Sequence, residues 1–348
     1  MEVRTRHYLK ITLWTVITAF ILTLLVFTRK PCNPPPKKGK LVANQTIVVY
    51  SPGYRISFYG IEKLHPFDIA KYDRIADHLV ENGILEKDDF QVPKPANVET
   101  LSLAHNSDYL DSLYEHETLS RALEVPIPKI FPRRSLESRI LDPFRRATGG
   151  TIEAARAALK HGMAINLGGG FHHAHPDMGH GFCIYNDVAV AIRVLRKEGF
   201  SGKILILDTD AHQGDGNHAF FTDDPTVFTF SMQQENIFPA IKIPGNLEAP
   251  LQESTGDDEL LKILEQGLME ALDESRPELV FHVAGADVLH DDQLAGLSIT
   301  TDGLVRRDLL VKEKVKSRGI ALVYLLAGGY GPSAAEAQAK SIEAMLKE

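Results

Sequence analysis

The sequence predicts an α/β protein: a single three-layer domain on a central, mostly parallel sheet, preceded by an N-terminal transmembrane helix. Three observations carry this reading. From residue 148 onward, short β-branched apolar runs alternate with amphipathic helical patterns, as βαβ crossovers require. Four of the apolar runs end in glycine and in acidic, imidazole or phenolic side chains, at the strand end where open α/β sheets hold ligands. An uncharged apolar run of eighteen residues, 11–28, stands near the start of the chain.

As a helix, the 11–28 run is about 27 Å long, enough for the hydrocarbon core of a bilayer. Arg4, Arg6 and Lys10 precede it, and Arg29 and Lys30 follow. It exceeds a signal-peptide apolar core and no small-x-small cleavage site precedes Arg29, so residues 1–30 are expected to be an uncleaved, single-pass membrane anchor. Basic residues on both flanks leave its orientation open. Residues 31–45 form a stiff Pro/Lys-rich linker, in which Cys32 is a free thiol or a lipidation site.

One globular domain is expected over residues 46–348, opening with a strand at 46–50 and a turn at Ser51-Pro-Gly-Tyr54. Asp68 is placed to cap a helix over 69–82. Residues 86–146 read as an irregular helical layer broken at Pro93, Pro95, Pro126, Pro128, Pro132 and Pro143. Beyond it, strands are expected at 163–167, 203–207, 227–230, 279–284 and 320–326. Helices are expected at 147–161, 185–198, 257–273, 302–315 and 333–346. No internal repeat is present.

Charge and cysteine usage exclude some roles. Residues 1–40 hold eight Lys/Arg against one Glu, whereas the remaining 308 residues hold 30 basic and 45 acidic side chains. An acidic body argues against direct nucleic-acid binding and suits a cationic substrate or product. With only Cys32 and Cys183, no disulfide framework is implied.

The strand ends carry the chemistry. The 203–207 strand runs into Asp208-Thr-Asp210-Ala-His212-Gln-Gly-Asp215-Gly216, where Asp210 and His212 point the same way if the chain stays extended. The 279–284 strand ends in Gly285-Ala-Asp287, which adds a second carboxylate. Asp210, His212 and Asp287 make a three-ligand set for a divalent cation with one position left for water. After the 163–167 strand, three glycines lead to His172 and His173, a candidate acid–base pair. Gly181-Phe182-Cys183 follows on a second loop, beyond His175-Pro-Asp-Met-Gly-His180. The last strand ends in Ala327-Gly-Gly-Tyr330, a phenol able to donate to a developing oxyanion. The bland alternative is a set of polar turns with structural histidines; co-occurrence at successive strand ends favours the chemical reading.

These motifs, Gly-Gly-Gly-Phe-His-His, Gly-Phe-Cys, Asp-Thr-Asp-Ala-His-Gln-Gly-Asp-Gly, Gly-Ala-Asp and Gly-Gly-Tyr, resemble the zinc-dependent histone deacetylase family on its arginase/deacetylase-like fold. Order and spacing match over most of residues 46–335. Tyr50-Ser-Pro, Glu62-Lys-Leu-His-Pro-Phe-Asp68, Thr148-Gly-Gly-Thr151 and Leu294-Ala-Gly-Leu-Ser298 resemble the class IV branch and its bacterial relatives. The resemblance makes 46–348 a catalytic domain and implies Zn2+ on Asp210, His212 and Asp287, with Fe2+ or Co2+ as alternatives. It implies catalytic roles for His172, His173 and Tyr330, with Asp208 and Asp215 behind the two histidines. It further implies structural K+ at Asp208, Asp210, His212, Ser231 and Met232, and a second K+ at Phe221, Asp224 and Val227. Gly181, Phe182 and Phe238 would line the substrate tunnel. The implied reaction removes acetyl or longer acyl groups from the Nε-amine of lysine, on a protein or peptide. An amidohydrolase for acetylpolyamines or other small acyl-amines is the alternative, and a catalytically inactive membrane-tethered binding module is the alternative of another class. The anchor is not part of the family pattern and sets a nuclear histone substrate in doubt.

Overall fold

Among the described residues, seven short strands, six of them buried along their whole length, form one sheet. The computed structural model describes residues 46–68 and 70–347. The expected anchor and linker, residues 1–45, lie outside them; among the described residues no helix is long and apolar enough to cross a membrane. The strands are β1 (Ile47–Val49), β2 (Met163–Asn166), β3 (Ile204–Asp208), β4 (Val227–Gln234), β5 (Leu247–Leu251), β6 (Leu279–Val283) and β7 (Ala321–Leu325). All pairings are parallel, in the order β1-β2-β7-β6-β3-β4-β5. Continuous Val/Ile/Leu runs such as Ile204–Asp208 are what a sheet covered on both faces demands.

Two helical layers cover it. On one face α2 (Asp142–His161), α3 (Asp187–Lys197) and α4 (Asp215–Phe221) pack in a row. On the other lie α5 (Asp257–Ser275), α6 (Thr301–Lys316), α7 (Ala334–Lys347) and α1 (Lys71–Glu81). One apolar core joins the sheet, both layers and the irregular 84–141 region.

Several boundaries differ from expectation. Asp68 accepts from the Ala70 backbone N–H, one turn ahead of α1, whose N-cap is Ala70. Pro143 does not interrupt a helix: it sits in the first turn of α2, where a missing N–H is tolerated, after a widened π turn at Glu137–Leu141. The edge strand β5 and the helix α4 are additional. β5 contains Pro250 and is only partly buried, so it lacks the apolar run that marks the central strands.

Strand order positions the site. β2, β7, β6 and β3 are successive neighbours, although they come from residues 163–325 in a different sequence order. Their carboxyl ends therefore bring four separate loops to one crevice, the usual ligand position in open α/β sheets.

Candidate active site and metal centre

Asp210 and His212 leave β3, and Asp287 leaves the adjacent β6. All three are buried, and one donor atom from each lies within 4.8 Å of the others. His212 Nδ1 is 2.9 Å from Asp287 Oδ2 and 3.2 Å from Asp210 Oδ1. The remaining oxygens are held by backbone: Ala211 N–H donates to Asp287 Oδ1 (2.8 Å) and Gly328 N–H to Asp210 Oδ2 (2.8 Å). Burial, then the charge of Asp210, pushes the Asp287 carboxyl up to about 8. Two dry carboxylates and an imidazole converging in this way fit a divalent cation of zinc type, which would neutralise them. The cradle needs its glycines: a Cβ on Gly285 would fall 2.1 Å from Asp210 Oδ2, and one on Gly328 2.5 Å from Asp287 Oδ2.

Beside this cluster stand His172 and His173, brought there from the end of β2 by the glycine loop. His172 Nδ1 meets Asp208 Oδ2 at 2.8 Å, and His173 Nδ1 meets Asp215 Oδ1 at 2.6 Å. Burial opposes charge on His172, but Asp208 and Asp210 outweigh it and lift the imidazole to about 9. Burial and the neighbouring His172 push His173 down to about 3. The two rings are thus pushed in opposite directions.

Tyr330 lies beyond β7, its ring against Phe182 (5.7 Å), Phe67 (6.0 Å) and His212 (6.3 Å). Burial raises its phenol well above the usual range, so it stays a donor. Phe182, at φ 65°, reaches His65 and Tyr330, while Phe238 stands against His173 (4.9 Å) and His212 (6.4 Å). Gly181 fits between them: a Cβ there would meet the His173 ring at 2.4 Å and Phe238 at 2.9 Å.

The positions expected to hold potassium fall into two groups. Ser231 and Met232 lie on β4, which pairs with β3 beside Asp208. The Ser231 hydroxyl is buried with no hydrogen-bond partner among the described residues. Phe221, Asp224 and Val227 share the turn after α4, where Asp224 N–H donates to Phe221 O and Val227 N–H to Asp224 O.

Four supporting residues were missed by the sequence reading. Lys71 is fully buried and donates to the carbonyls of Ala327 (2.8 Å) and Gly328 (2.7 Å), bracing the hinge before Tyr330; burial lowers its amine to about 8. Its signal was a lysine in register with Ile75 and Leu79 on the apolar face of α1. Arg307 donates from Nη1 to the carbonyls of Thr209 (3.2 Å) and Gly285 (2.6 Å), tying together the loops that carry Asp210 and Asp287. Asp187 accepts from the N–H groups of Gly170 (3.0 Å) and Phe171 (2.7 Å), fixing the glycine loop. Asp292 accepts from Tyr330 N–H at 2.7 Å.

An apolar cavity opens beside the two catalytic candidates His172 and Tyr330. Phe58, Leu123, Ile127, Ile140 and Phe144 wall it.

Comparison with known proteins matches residues 65–346 to the family described as the histone deacetylase domain. The chain belongs to the histone deacetylase family. Among its relatives, histone deacetylase 2 of Arabidopsis thaliana is 38% identical over 304 residues, covering 86% of this chain and 79% of that protein. The acetoin utilization protein AcuC of Bacillus subtilis is 32% identical, covering 73% of this chain and 69% of that protein. A solved histone deacetylase homolog, complexed with SAHA, superposes with a TM-score of 0.68 at 28% identity, covering 87% of this chain and 84% of the other. This histone-deacetylase-like chain is therefore a hydrolase of the deacetylase type, in a family whose members depend on a metal, typically zinc.

Proposed function

We propose that the protein is a metal-dependent Nε-acyl-lysine deacylase that prefers long acyl chains, working at a membrane to which residues 1–30 tether it. The observation that carries the substrate reading is the apolar cavity reaching His172 and Tyr330. An acetyl group needs no such walls, whereas each buried methylene contributes about 0.8 kcal/mol.

Asp210, His212 and Asp287 would hold a zinc-type cation, which would supply Lewis-acid polarisation of the acyl carbonyl and would acidify water. The protein's own groups do the rest. His173, neutral and aligned by Asp215, accepts a proton from the attacking water and hands it to the departing lysine amine. His172, held cationic by Asp208, offsets negative charge gathering on the substrate oxygen, and the Tyr330 phenol donates to that same oxygen. Gly181, Phe182 and Phe238 shape the narrow approach for the lysine stem. Potassium ions at the Ser231 and Asp224 groups would brace β4 and the α4 turn; the unpartnered Ser231 hydroxyl supports the first of them.

The test is a series of Nε-acyl-lysine peptides from acetyl to myristoyl. The expected outcome is a kcat/KM that rises about 10-fold or more along the series. Equal turnover of acetyl and myristoyl peptides would sink the long-chain preference and leave the hydrolase. A second reading, hydrolysis of acetylpolyamines or other small acyl-amines, draws on the acidic body and on the relation to AcuC proteins. Faster turnover of acetylspermidine than of any peptide in the series selects it.

A further inference from the structure

Asp215 is approached by more imidazoles than acid–base chemistry uses. One of its oxygens, Oδ1, holds His173. The other, Oδ2, faces His175 Nε2 at 2.8 Å and His180 Nε2 at 3.0 Å. The two rings lie 4.9 Å apart between centroids. His180 Nε2 is buried and makes no hydrogen bond of acceptable geometry among the described residues, even to the oxygen beside it. One donor atom from each of His175, His180 and Asp215 lies within 4.8 Å of the others, a second such cluster separate from Asp210, His212 and Asp287.

We propose that His175, His180 and Asp215 form a second site for a divalent transition-metal cation of zinc type, and that filling it slows the reaction at the neighbouring centre. Two imidazoles and one carboxylate are a set zinc takes with a fourth position left to water. Tetrahedral zinc with bonds of about 2.0–2.1 Å separates its donors by roughly 3.3 Å, close to the two spacings observed here. The segment is built rather than loose. His175 N–H closes the 175–180 turn on the Met178 carbonyl (2.8 Å), and the His105 ring donates from Nδ1 to the His175 carbonyl (3.0 Å). Gly179 fits only without a side chain, since a Cβ would fall 2.6 Å from both the Cys183 carbonyl and the Tyr109 hydroxyl. The histidine side chains are 14% and 20% exposed and the carboxylate 2%, so an ion enters from the imidazole side.

The consequence follows from sharing one carboxylate. A cation on Oδ2 would re-aim the Asp215 carboxylate, and with it the 2.6 Å contact by which Oδ1 orients the His173 ring. This coupling rests on the deacylase reading above; occupancy of the site does not.

Zinc bound by the full-length chain is counted by elemental analysis after equilibrium dialysis, beside the variants Asp287→Asn and His175→Asn/His180→Asn. Two equivalents in the wild type and one in each variant support the site. A single equivalent in the wild type, or two in the histidine variant, overturns it. Cobalt(II) added to Asp287→Asn should develop the visible absorption of a low-symmetry site; its persistence when both histidines are also replaced overturns the ligand assignment, independently of activity. For the coupling, acyl-peptide hydrolysis is followed as free zinc rises, each protein being compared with itself. Wild-type turnover should fall about 10-fold, the scale on which partners of a functional imidazole act, with little change in the histidine variant. Equal sensitivity in both overturns the coupling. An inert wild type with two bound equivalents sinks the deacylase reading but not the site.

Discussion

At the scale of single residues, the proposed chemistry depends on donors that keep their protons and on acceptors that lose them. Burial keeps the Tyr330 phenol protonated, and its ring is fixed by Phe182 and Phe67. Tyr330→Phe preserves that packing and removes one donor, so kcat should fall by about 10²–10³ with KM little changed. Steady-state kinetics on an acyl-lysine peptide decide this; wild-type turnover would refute the role. Much of the site was legible at this scale because Asp210, His212, Asp287 and Tyr330 follow directly on apolar runs. Lys71 and Arg307 were not, because each acts on carbonyls more than 90 residues away from it in one contact or more, which no local pattern encodes.

At the scale of elements, loops are locked by hydrogen bonds that require particular protonation states. His105 accepts from the Asn186 N–H, the cap of α3, at 3.0 Å and donates to the His175 carbonyl, so the fold needs its neutral form. Burial pushes it down to about 4, against about 6.5 in an unfolded chain. The unfolded state therefore binds more protons between these values. The His105 contribution is complete above about pH 6.5 and is lost progressively as pH falls toward 4, at up to about 1.4 kcal/mol per unit. Urea midpoints compared at pH 7 and pH 5 should drop more in the wild type than in His105→Gln. An equal drop in both proteins rules this group out. Element boundaries were legible where an apolar run met a glycine or a cap. They were displaced where tertiary contacts took over, as with Pro143, whose preceding turn simply widens.

At the scale of the whole molecule, a basic start precedes an acidic body. The proposed anchor predicts that the full-length protein floats with phosphatidylcholine vesicles. Phe20→Arg together with Leu24→Arg should abolish flotation, since each central arginine costs about 2.5–3.5 kcal/mol on insertion. Flotation unaffected by the double substitution removes the anchor from the proposal. A substrate whose acyl chain is itself lipid-like would be met at such a surface, which joins the cavity and the tether in one account.

The sequence by itself determined the fold class, the family resemblance and the chemical types at the strand ends. These are local properties: periodicity, glycine runs and side chains a few residues beyond a strand. Tertiary structure alone decided that β2, β7, β6 and β3 lie side by side, so that residues from 172 to 330 share one crevice. It also decided that side chains between Phe58 and Phe144 wall an apolar cavity on that crevice, and that His175 and His180 turn toward Asp215. The reason is the same in each case. Strand order and side-chain convergence are set by long-range burial, whose partners are far apart in the chain and leave no period for a sequence to display.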